Sequence, residues 1–298
     1  MKIFFILELT TATLTFHHDM VKIKASQFTT HDEPTDRTLK ITVEQDFLID
    51  QFEVSNSQFK HFVSQTGYVT DAEKFGWSFV LSKFTTPESE TESTEAVLGA
   101  SYWLKVEQAT WKSPFGKKST YIPSHPVVHV SWRDAEAYCK YAIDGRLPSE
   151  DEWELAARGG KENRSFPWGN KFISSKLNIW NGVDWMSGKD EDGYETTAPV
   201  EAFGPQNNYA IYNIVGNVWE MTADDYYSDR STKKPAKPTD QQEKVKKGGS
   251  FLCHEKFCHM YRVNTRSSNS ADSSAQNLGF RCASQVKEHI SIHVHSSK

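Results

Sequence analysis

The sequence predicts a single α+β domain with a large share of irregular backbone in its second half. Residues 38–54 alternate apolar and polar side chains, which is typical of strands with one buried face. Three later segments begin with helix-capping residues and carry apolar side chains at helical spacing. From residue 160 onward the helical periods disappear and Gly, Asn, Asp, Trp and Tyr dominate. Neither a repeat nor a linker divides the chain, so we expect one compact domain.

The first elements are strands with alternating burial and a helix that follows Ser55. The strand positions predicted to face the core are Leu39, Ile41, Val43, Phe47, Ile49 and Phe52. Ser55 can cap a helix that ends at Gly67, because Ser accepts from free backbone N–H groups and Gly adopts the left-handed conformation of a helix end. The apolar face of this helix consists of Phe59, Phe62 and Val63.

Two more helices follow the same logic. Ser131 can cap the second, whose apolar side is formed by Ala135, Tyr138, Cys139 and Ala142. Ser149 and Glu152 form a capping box for the third, which covers 151–158 and ends at Gly159-Gly160. Residues 80–101 have no clean period, and residues 229–247 are rich in Lys and Pro. We predict that both stretches are surface loops.

Composition excludes several classes of protein. The 298 residues are 37% hydrophobic and 24% charged, with a net charge of −5, as in ordinary soluble domains. Basic residues number 34 against 39 acidic ones, which argues against a nucleic-acid partner. No apolar run approaches the roughly 20 residues of a membrane helix, so we predict no membrane span.

The ends of the chain bear on its compartment. Met1-Lys2 precedes a short apolar run, so we expect residues 1–19 to be a signal peptide and the protein to occupy the endoplasmic reticulum lumen or secretory pathway. An unstructured or strand-forming terminus is the alternative. Residues 286–298 are predicted to be a solvated tail. Asn163-Arg164-Ser165 is an N-glycosylation sequon, usable only on the secretory route.

Cys253 and Cys258 are five positions apart, so their thiols can converge if the turn between them is tight. Their spacing allows a disulfide, a zinc site with His254 and His259, a two-thiolate site for Cu(I), or free thiols. The remaining cysteines are Cys139 and Cys282, and sequence alone does not choose among the three pairings of four cysteines.

Two segments combine amides, carboxylates and glycine. Residues 213–220 and 190–194 offer the oxygen ligands that Ca²⁺ prefers, but neither has the spacing of an EF-hand. Metal-free loops closed by Asx-turns are the alternative.

An ordered series of motifs over residues 20–285 resembles the sulfatase-modifying-factor family, and within it most closely the eukaryotic formylglycine-generating enzymes. The motifs are Gly145-Arg146-Leu147-Pro148-Ser149, Phe166-Pro167-Trp168-Gly169-Asn170, residues 213–220, Lys247-Gly248-Gly249-Ser250 with Cys253 and Cys258, and Asn277-Leu278-Gly279-Phe280-Arg281-Cys282. The resemblance implies that residues 20–285 form a catalytic domain with a fold of the C-type-lectin type and little regular secondary structure.

The implied activity is oxidation, by O2 and with a thiol reductant, of the cysteine in a Cys-x-Pro-x-Arg motif to Cα-formylglycine in unfolded sulfatases. The resemblance makes Cys253 and Cys258 the ligands of Cu(I), which is a soft ion that thiolates bind well. Ser250 and Asn277 become candidates for handling oxygen species, with turn hydrogen bonding as the alternative. Trp219 is expected either to line the pocket or to belong to the core.

The resemblance also implies two structural calcium ions and a disulfide between Cys139 and Cys282. The first ion is assigned Asn178, Ile179, Asp192 and Tyr194. The second is assigned Asn213, Gly216, Val218 and Glu220. Ile179, Tyr194, Gly216 and Val218 would contribute only backbone carbonyls.

The sequence departs from the family pattern in two places. Ala157 and Val263 occupy the positions of a second disulfide, and Ser26-Gln27-Phe28-Thr29-Thr30 replaces a glycine-containing turn, which puts the first strand in doubt. A non-catalytic protein that binds sulfatases or the enzyme is the alternative function. The silent paralogue of the enzyme lacks the active cysteine pair, however, and this chain keeps both cysteines.

Overall fold

A computed structural model describes residues 18–85, 95–97, 100–180, 182, 192–232, 234–235, 243–254 and 258–286. Residues 1–17 of the predicted signal peptide and 287–298 of the predicted tail lie outside the described residues. In the described part, no helix has the length and apolarity needed to cross a membrane.

The described helices are short and begin with capping boxes. Their bounds are Asn56–Thr66 (α1), Asp71–Phe75 (α2), Trp132–Ile143 (α3) and Glu150–Ala157 (α4). The caps predicted at Ser55, Ser131 and Ser149 are confirmed, since each side chain accepts a hydrogen bond from the third helical amide. Helix α2 was missed, although Thr70 and Glu73 form the same capping box.

The strands are mostly short and belong to five small sheets. In chain order they are Met20–Ile23 (β1), Ser26–Asp32 (β2), Arg37–Val43 (β3), Phe47–Asp50 (β4), Trp77–Leu81 (β5), Ala96–Val97 (β6), Ala100–Glu107 (β7), Trp219–Asp225 (β8), Tyr227–Asp229 (β9), Lys234–Pro235 (β10), Glu243–Lys247 (β11), Ser267–Ser270 (β12), Leu278–Gly279 (β13) and Ala283–Gln285 (β14). The sheet orders are β1-β4-β14, β2-β3, β5-β7-β6, β9-β10 and β12-β11-β8-β13. Only β8 and β13 pair in parallel among these strands.

Two predicted surface loops are wrong in part. The stretch 80–101 contains the end of β5, all of β6 and the start of β7, which pair with one another. The stretch 229–247 ends in β11, where Lys247 is fully buried. Lysine was taken as a sign of exposure, but Lys247 Nζ lies 3.4 Å from a carboxylate oxygen of the buried Glu154, which offsets the cost of burying its charge.

An aromatic core joins the helices to the sheets. The rings of Phe59 and Tyr138 stack at 5.8 Å, and Phe280 meets both edge-on. Beside them Cys139 of α3 is disulfide-bonded to Cys282, with Cα atoms 5.5 Å apart, as the family resemblance implied.

The departures from the family pattern are accommodated without strain on the core. Ala157 and Val263 are both fully buried apolar side chains, so the missing disulfide leaves no orphan thiol. The strand that this departure put in doubt is present as β2, because Ser26 to Asp32 pair residue by residue with β3. The predicted mixture of helix and strand in one irregular domain is confirmed.

Candidate functional site

The two remaining cysteines meet at the floor of a cleft. Cys253 and Cys258 are both free thiols, with Sγ atoms 2.7 Å apart. That distance exceeds the roughly 2.05 Å of a disulfide bond and places the sulfurs in direct hydrogen-bonding contact. Cys253 is buried, whereas Cys258 is partly open to the cleft. The two sulfurs are therefore positioned to bind one ion or one substrate group that enters the cleft from solvent.

Their contact splits the two thiol pKa values. The hydrogen bond that Cys253 donates lowers the pKa of Cys258 to about 7, while the same bond and burial raise the pKa of Cys253 well above its usual value. A state with one thiolate, at Cys258, and one thiol, at Cys253, is thus well populated near neutral pH. A thiolate is a nucleophile and a ligand for soft metals, whereas a thiol is neither.

Tight turns bring the cysteines to this place. Gly248 and Gly249 have φ values of 90° and 70°, and a Cβ on Gly249 would lie 2.9 Å from the backbone nitrogen of Tyr261. Only glycine tolerates both the left-handed backbone and that approach. The Cys253 amide then donates to the Ser250 carbonyl at 2.8 Å, which turns the chain so that Cys253 faces inward.

Ser250 and Asn277, the two candidates for handling oxygen species, lie in contact with each other. Asn277 Nδ2 donates to Ser250 Oγ at 2.9 Å, and both residues line the same cleft as the cysteines. The Leu252 amide also donates to Ser250 Oγ, at 3.3 Å. These bonds fit the turn-stabilising alternative too, so the geometry supports a shared position and leaves the handling of oxygen species a prediction.

The cleft has a volume of about 700 Å³ and is lined by both aromatic and polar side chains. Its aromatic wall includes Tyr102, Trp103 and Trp219, so Trp219 both lines the cleft and is largely buried. Its polar wall includes the serines and the amide of β12, an edge strand of its sheet, and Ser273 just after that strand. An extended peptide with apolar and polar positions would match such a groove.

Lys246 is a residue of the cleft that the sequence reasoning missed. Lys246 is partly buried, its Nζ lies 5.0 Å from the centre of the Trp219 ring, and it donates to Asn269 Oδ1 at 2.5 Å. Burial lowers its pKa to about 8 despite the opposing pull of the two nearby cysteines. Lys246 could have been identified from the alternation of side-chain direction along β11, since neighbours on a strand face opposite sides of the sheet.

The residues assigned to the second calcium ion form a buried loop beside two carboxylates. Asn213 is fully buried, and within the described residues its Oδ1 has no hydrogen-bond partner. A Cβ on Gly216 would meet the Asn178 carbonyl at 2.7 Å, so this loop packs tightly against the first set. An unpartnered buried amide oxygen fits a cation ligand.

Glu220 fits that assignment less well. Its Oε1 accepts from Arg281 Nη2 at 2.7 Å, and its Oε2 accepts from Arg281 Nε and Trp153 Nε1, also at 2.7 Å. Both oxygens are therefore already occupied, and the charge is neutralised by Arg281. The carboxylate in a better position is Glu53, which the sequence analysis did not single out.

Glu53 accepts hydrogen bonds from two buried amides. Asn217 Nδ2 lies 3.0 Å from both its oxygens, and Asn213 Nδ2 lies 3.2 Å from Oε2. Burial, followed by repulsion from Glu220, raises its pKa well above the usual value. A cation here would relieve that repulsion and supply the charge that the site lacks. The signal in the sequence was one Glu just after a strand, which carries little information alone.

The residues assigned to the first calcium ion lie on two adjacent segments. Asn178 Nδ2 donates to the Thr196 carbonyl at 2.8 Å and to Asn217 Oδ1 at 3.1 Å, which links this set to the second. Asp192 Oδ1 accepts from the Tyr194 amide at 3.0 Å, the Asx-turn of the metal-free alternative. Ile179 and Val218 have hydrocarbon side chains without donor atoms, so any ligand from them is a backbone carbonyl.

Both sets contact the cysteine loop through backbone hydrogen bonds. The Trp180 amide donates to the Cys253 carbonyl and the Phe251 amide to the Asn217 carbonyl, each at 2.8 Å. The Gly216 amide donates to the Gly248 carbonyl at 2.9 Å. These hydrogen bonds therefore fix the backbone of the cysteine loop relative to both polar segments.

No cluster of three or more His, Cys, Asp or Glu side chains able to hold a metal occurs in the part of the chain that the structure describes. The zinc alternative needs His254 and His259 beside both thiols, and His259 is exposed. A two-coordinate soft ion needs only the two sulfurs, and a calcium site built from amides and carbonyls needs no such cluster. The donor sets present therefore favour these two kinds of site over zinc.

Comparison with known proteins gives consistent results. Residues 8–286 match the sulfatase-modifying factor enzyme 1-like domain family. The formylglycine-generating enzyme of Mus musculus is 48% identical over 279 residues, which cover 89% of this chain and 74% of that protein. The inactive C-alpha-formylglycine-generating enzyme 2 of Bos taurus is 44% identical over 242 residues, covering 80% and 77%. PvdO from Pseudomonas aeruginosa shares the fold, with a TM-score of 0.63 at 20% identity over 90% of this chain and 94% of that one.

Proposed function

Because this chain belongs to the sulfatase-modifying factor enzyme 1-like family, we propose that it activates sulfatases by converting a cysteine of the Cys-x-Pro-x-Arg motif to Cα-formylglycine. The observation that carries the proposal is the free Cys253 and Cys258 pair at the floor of an open cleft. In overall balance, the substrate thiol, O2 and two reducing hydrogens from thiols yield the aldehyde, hydrogen sulfide and water.

Cys253 and Cys258 are the residues that would hold Cu(I). When bound, that ion supplies the one-electron chemistry that lets O2 oxidise a thiol. The fit rests on the donor set of two adjacent sulfurs: the lowered pKa of Cys258 makes its thiolate accessible near neutral pH, and Cys253, whose pKa is raised, would release its proton when the ion binds. The buried Cys253 thiol is shielded from solvent oxidants, whereas Cys258 faces the cleft from which the substrate cysteine arrives.

The remaining residues of the cleft orient the substrate and exclude water. The aromatic wall of Tyr102, Trp103 and Trp219 offers apolar faces to an extended peptide. The Ser250 hydroxyl, fixed by Asn277, can donate a hydrogen bond to a polar group beside the sulfurs. Because an unfolded segment must enter the groove, the substrate is a newly made sulfatase rather than a mature one.

We further propose that the protein works in the secretory pathway and holds structural calcium. The disulfide between Cys139 and Cys282 agrees with an oxidising compartment. For the second calcium site, the unpartnered Asn213 Oδ1 and the buried Glu53 carboxylate beside it supply the chemical reason. Calcium would support the cysteine loop and take no part in the reaction.

The test is turnover of a Cys-x-Pro-x-Arg peptide by copper-loaded protein, followed by mass spectrometry and O2 uptake. We expect formylglycine from the Cys peptide and no reaction from its Ser counterpart, since an alcohol is a poor ligand for Cu(I). Cys258→Ser is expected to abolish turnover and to leave the melting temperature within about 2 °C of the parent, because the substitution changes one atom of a side chain that is only partly buried.

A matched control is Ser273→Ala, which changes one hydroxyl on the polar wall of the same cleft and should keep most of the activity. Wild-type rates in Cys258→Ser would disprove the role of the thiol pair. Peptide binding without product from the wild-type protein would favour the alternative, a binding protein akin to the inactive relative.

A further inference from the structure

We propose that Asn163 carries an N-linked glycan. The chain contains twelve asparagines, and only Asn163 is followed by any residue but proline and then by Ser or Thr. The inference rests on the proposed compartment and not on catalysis, so it can be tested independently of the enzyme activity.

The structure leaves the acceptor side chain available. Asn163 is exposed, and no hydrogen bond from its side chain to another residue is present within the described ranges. By contrast, the amide groups of Asn178, Asn213 and Asn217 are all buried and hydrogen-bonded. An amide that the fold does not use can be substituted on nitrogen without loss of a native contact.

The backbone of Asn163 is held in a turn, with φ at 53°. Asn tolerates the left-handed region better than most residues, which by itself would explain an Asn here. It would not explain the hydroxyl two residues later. Ser165 is fixed through its backbone, because its amide donates to Asn170 Oδ1 at 2.8 Å and its carbonyl accepts from the Val263 amide at 3.0 Å. Its hydroxyl makes no hydrogen bond to other described residues, so the fold does not require a serine.

A glycan on this turn is compatible with an open cleft. None of residues 161–170 is among those that line the cysteine cleft in the described structure. The turn is joined to the segment after the cysteines by the Ser165 carbonyl and by the stacked rings of Phe166 and Tyr261, and a sugar on the Asn163 side chain changes neither contact. A sugar at Asn163 would therefore cover a surface beside the α4 end and not the entrance for the peptide.

The reaction itself is a simple group transfer. A bond forms between C1 of the first sugar and Asn163 Nδ2, which loses one proton. The bond from that C1 to its pyrophosphate-linked lipid donor breaks, and the lipid pyrophosphate leaves. No oxidant or reductant takes part.

The experiment expresses the full chain behind a cleavable secretory leader in eukaryotic cells. Only protein from which the leader has been removed is analysed, because that protein has entered the lumen. We expect a band that moves faster after peptide-N-glycosidase treatment, with Asn163 converted to Asp in the peptide map. Asn163→Gln and Ser165→Ala should each abolish the shift, and the second variant keeps the asparagine in its left-handed turn.

A positive control is Lys117→Asn, which creates a new sequon with Ser119 at an exposed turn and should add a second glycan. Asn163→Gln is expected to turn over the Cys-x-Pro-x-Arg peptide at the parent rate if the protein is active. A leader-free wild-type protein without sugar at Asn163 would overturn the proposal, whatever its activity.

Discussion

Replacing Glu220 by Gln tests which of two roles its carboxylate plays. Glu220 and Arg281 are both completely buried and are joined by two hydrogen bonds of 2.7 Å. The other donors of Arg281 are held by the carbonyls of Asp50, Gln51 and Tyr212, at 2.9–3.0 Å. Glu220→Gln keeps the shape of the side chain, removes its charge, and turns an N–H toward the guanidinium.

The expected loss of stability is large. Removing one partner of a buried ion pair costs about 3–5 kcal/mol, because the remaining charge is left without compensation. In a domain of this size each kcal/mol lowers the melting temperature by about 2–4 °C, so the variant should melt on the order of 6–20 °C lower. Glu53 limits the loss, because its pKa is raised in part by Glu220 and will fall when that charge is removed.

Melting curves in calcium and in chelator separate the roles. Calcium at one hundred times its Kd stabilises a folded protein by about 2.7 kcal/mol. If the carboxylate served only that ion, the substitution would matter only in calcium. The ion pair with Arg281 instead predicts a lower melting temperature in both conditions. The matched control is Lys140→Gln, which breaks an exposed pair with Asp144 and should change the melting temperature by less than about 2 °C.

A Glu220→Gln protein that melts within about 2 °C of the parent in chelator would refute the buried ion pair as a source of stability. Loss of the calcium effect alone would instead return Glu220 to the ligand set implied by the family. Either way the result is read from the folded protein and does not depend on turnover.

Three further predictions concern other parts of the molecule. Cys282→Ala opens a loop closed over 143 residues and should cost about 4–5 kcal/mol in the free energy of unfolding, measured in denaturant; a change under about 1 kcal/mol would contradict it. His129 is fully buried, which lowers its pKa to about 4. Between pH 6.5 and 4 the unfolded chain therefore binds a proton at His129 that the folded chain does not. The free energy of unfolding should fall by roughly 3 kcal/mol as the pH drops across that range. His129→Gln should lose that pH dependence, and an unchanged pH profile would argue against a neutral buried imidazole. Cys253→Ala removes the hydrogen bond that lowers the pKa of Cys258. In metal-free protein, the pH at which Cys258 is alkylated at half its maximal rate should therefore rise from about 7. If that pH stays near 7, a group other than Cys253 lowers the pKa of Cys258.

Local signals in the sequence were enough for three of the helices. A capping serine, its partner three residues later and a glycine or turn at the other end act within one short segment, so no distant residue is needed to identify α1, α3 or α4. The strands that pair across long separations were harder. The prediction for 229–247 failed at β11 because lysine is exposed only when nothing buried neutralises it, and Glu154 is 93 residues away.

The candidate site was predictable as a set of residues and not as an arrangement. The motifs named Cys253, Cys258, Ser250 and Asn277, and the resemblance supplied their roles. Sequence could not give the 2.7 Å contact between the sulfurs, because it depends on turns at two glycines. Nor could it identify Glu53, which reaches Asn217 across 164 residues.

A site on irregular backbone needs a substitute for the rigidity of helices and strands. Here the substitute is a relay of buried amides, in which Asn178 donates to Asn217 and Asn217 donates to Glu53. The backbone of that relay accepts from the Phe251 amide, two residues before Cys253. On the opposite side, β11 holds Lys247 in a buried cluster with Glu154 and turns Lys246 toward the cleft. Because neighbours on a strand face opposite sides, anchoring one lysine fixes the direction of the other. The cysteine loop is therefore positioned from two sides by polar contacts, which is why a domain with so little regular structure can hold two sulfur atoms at a defined distance.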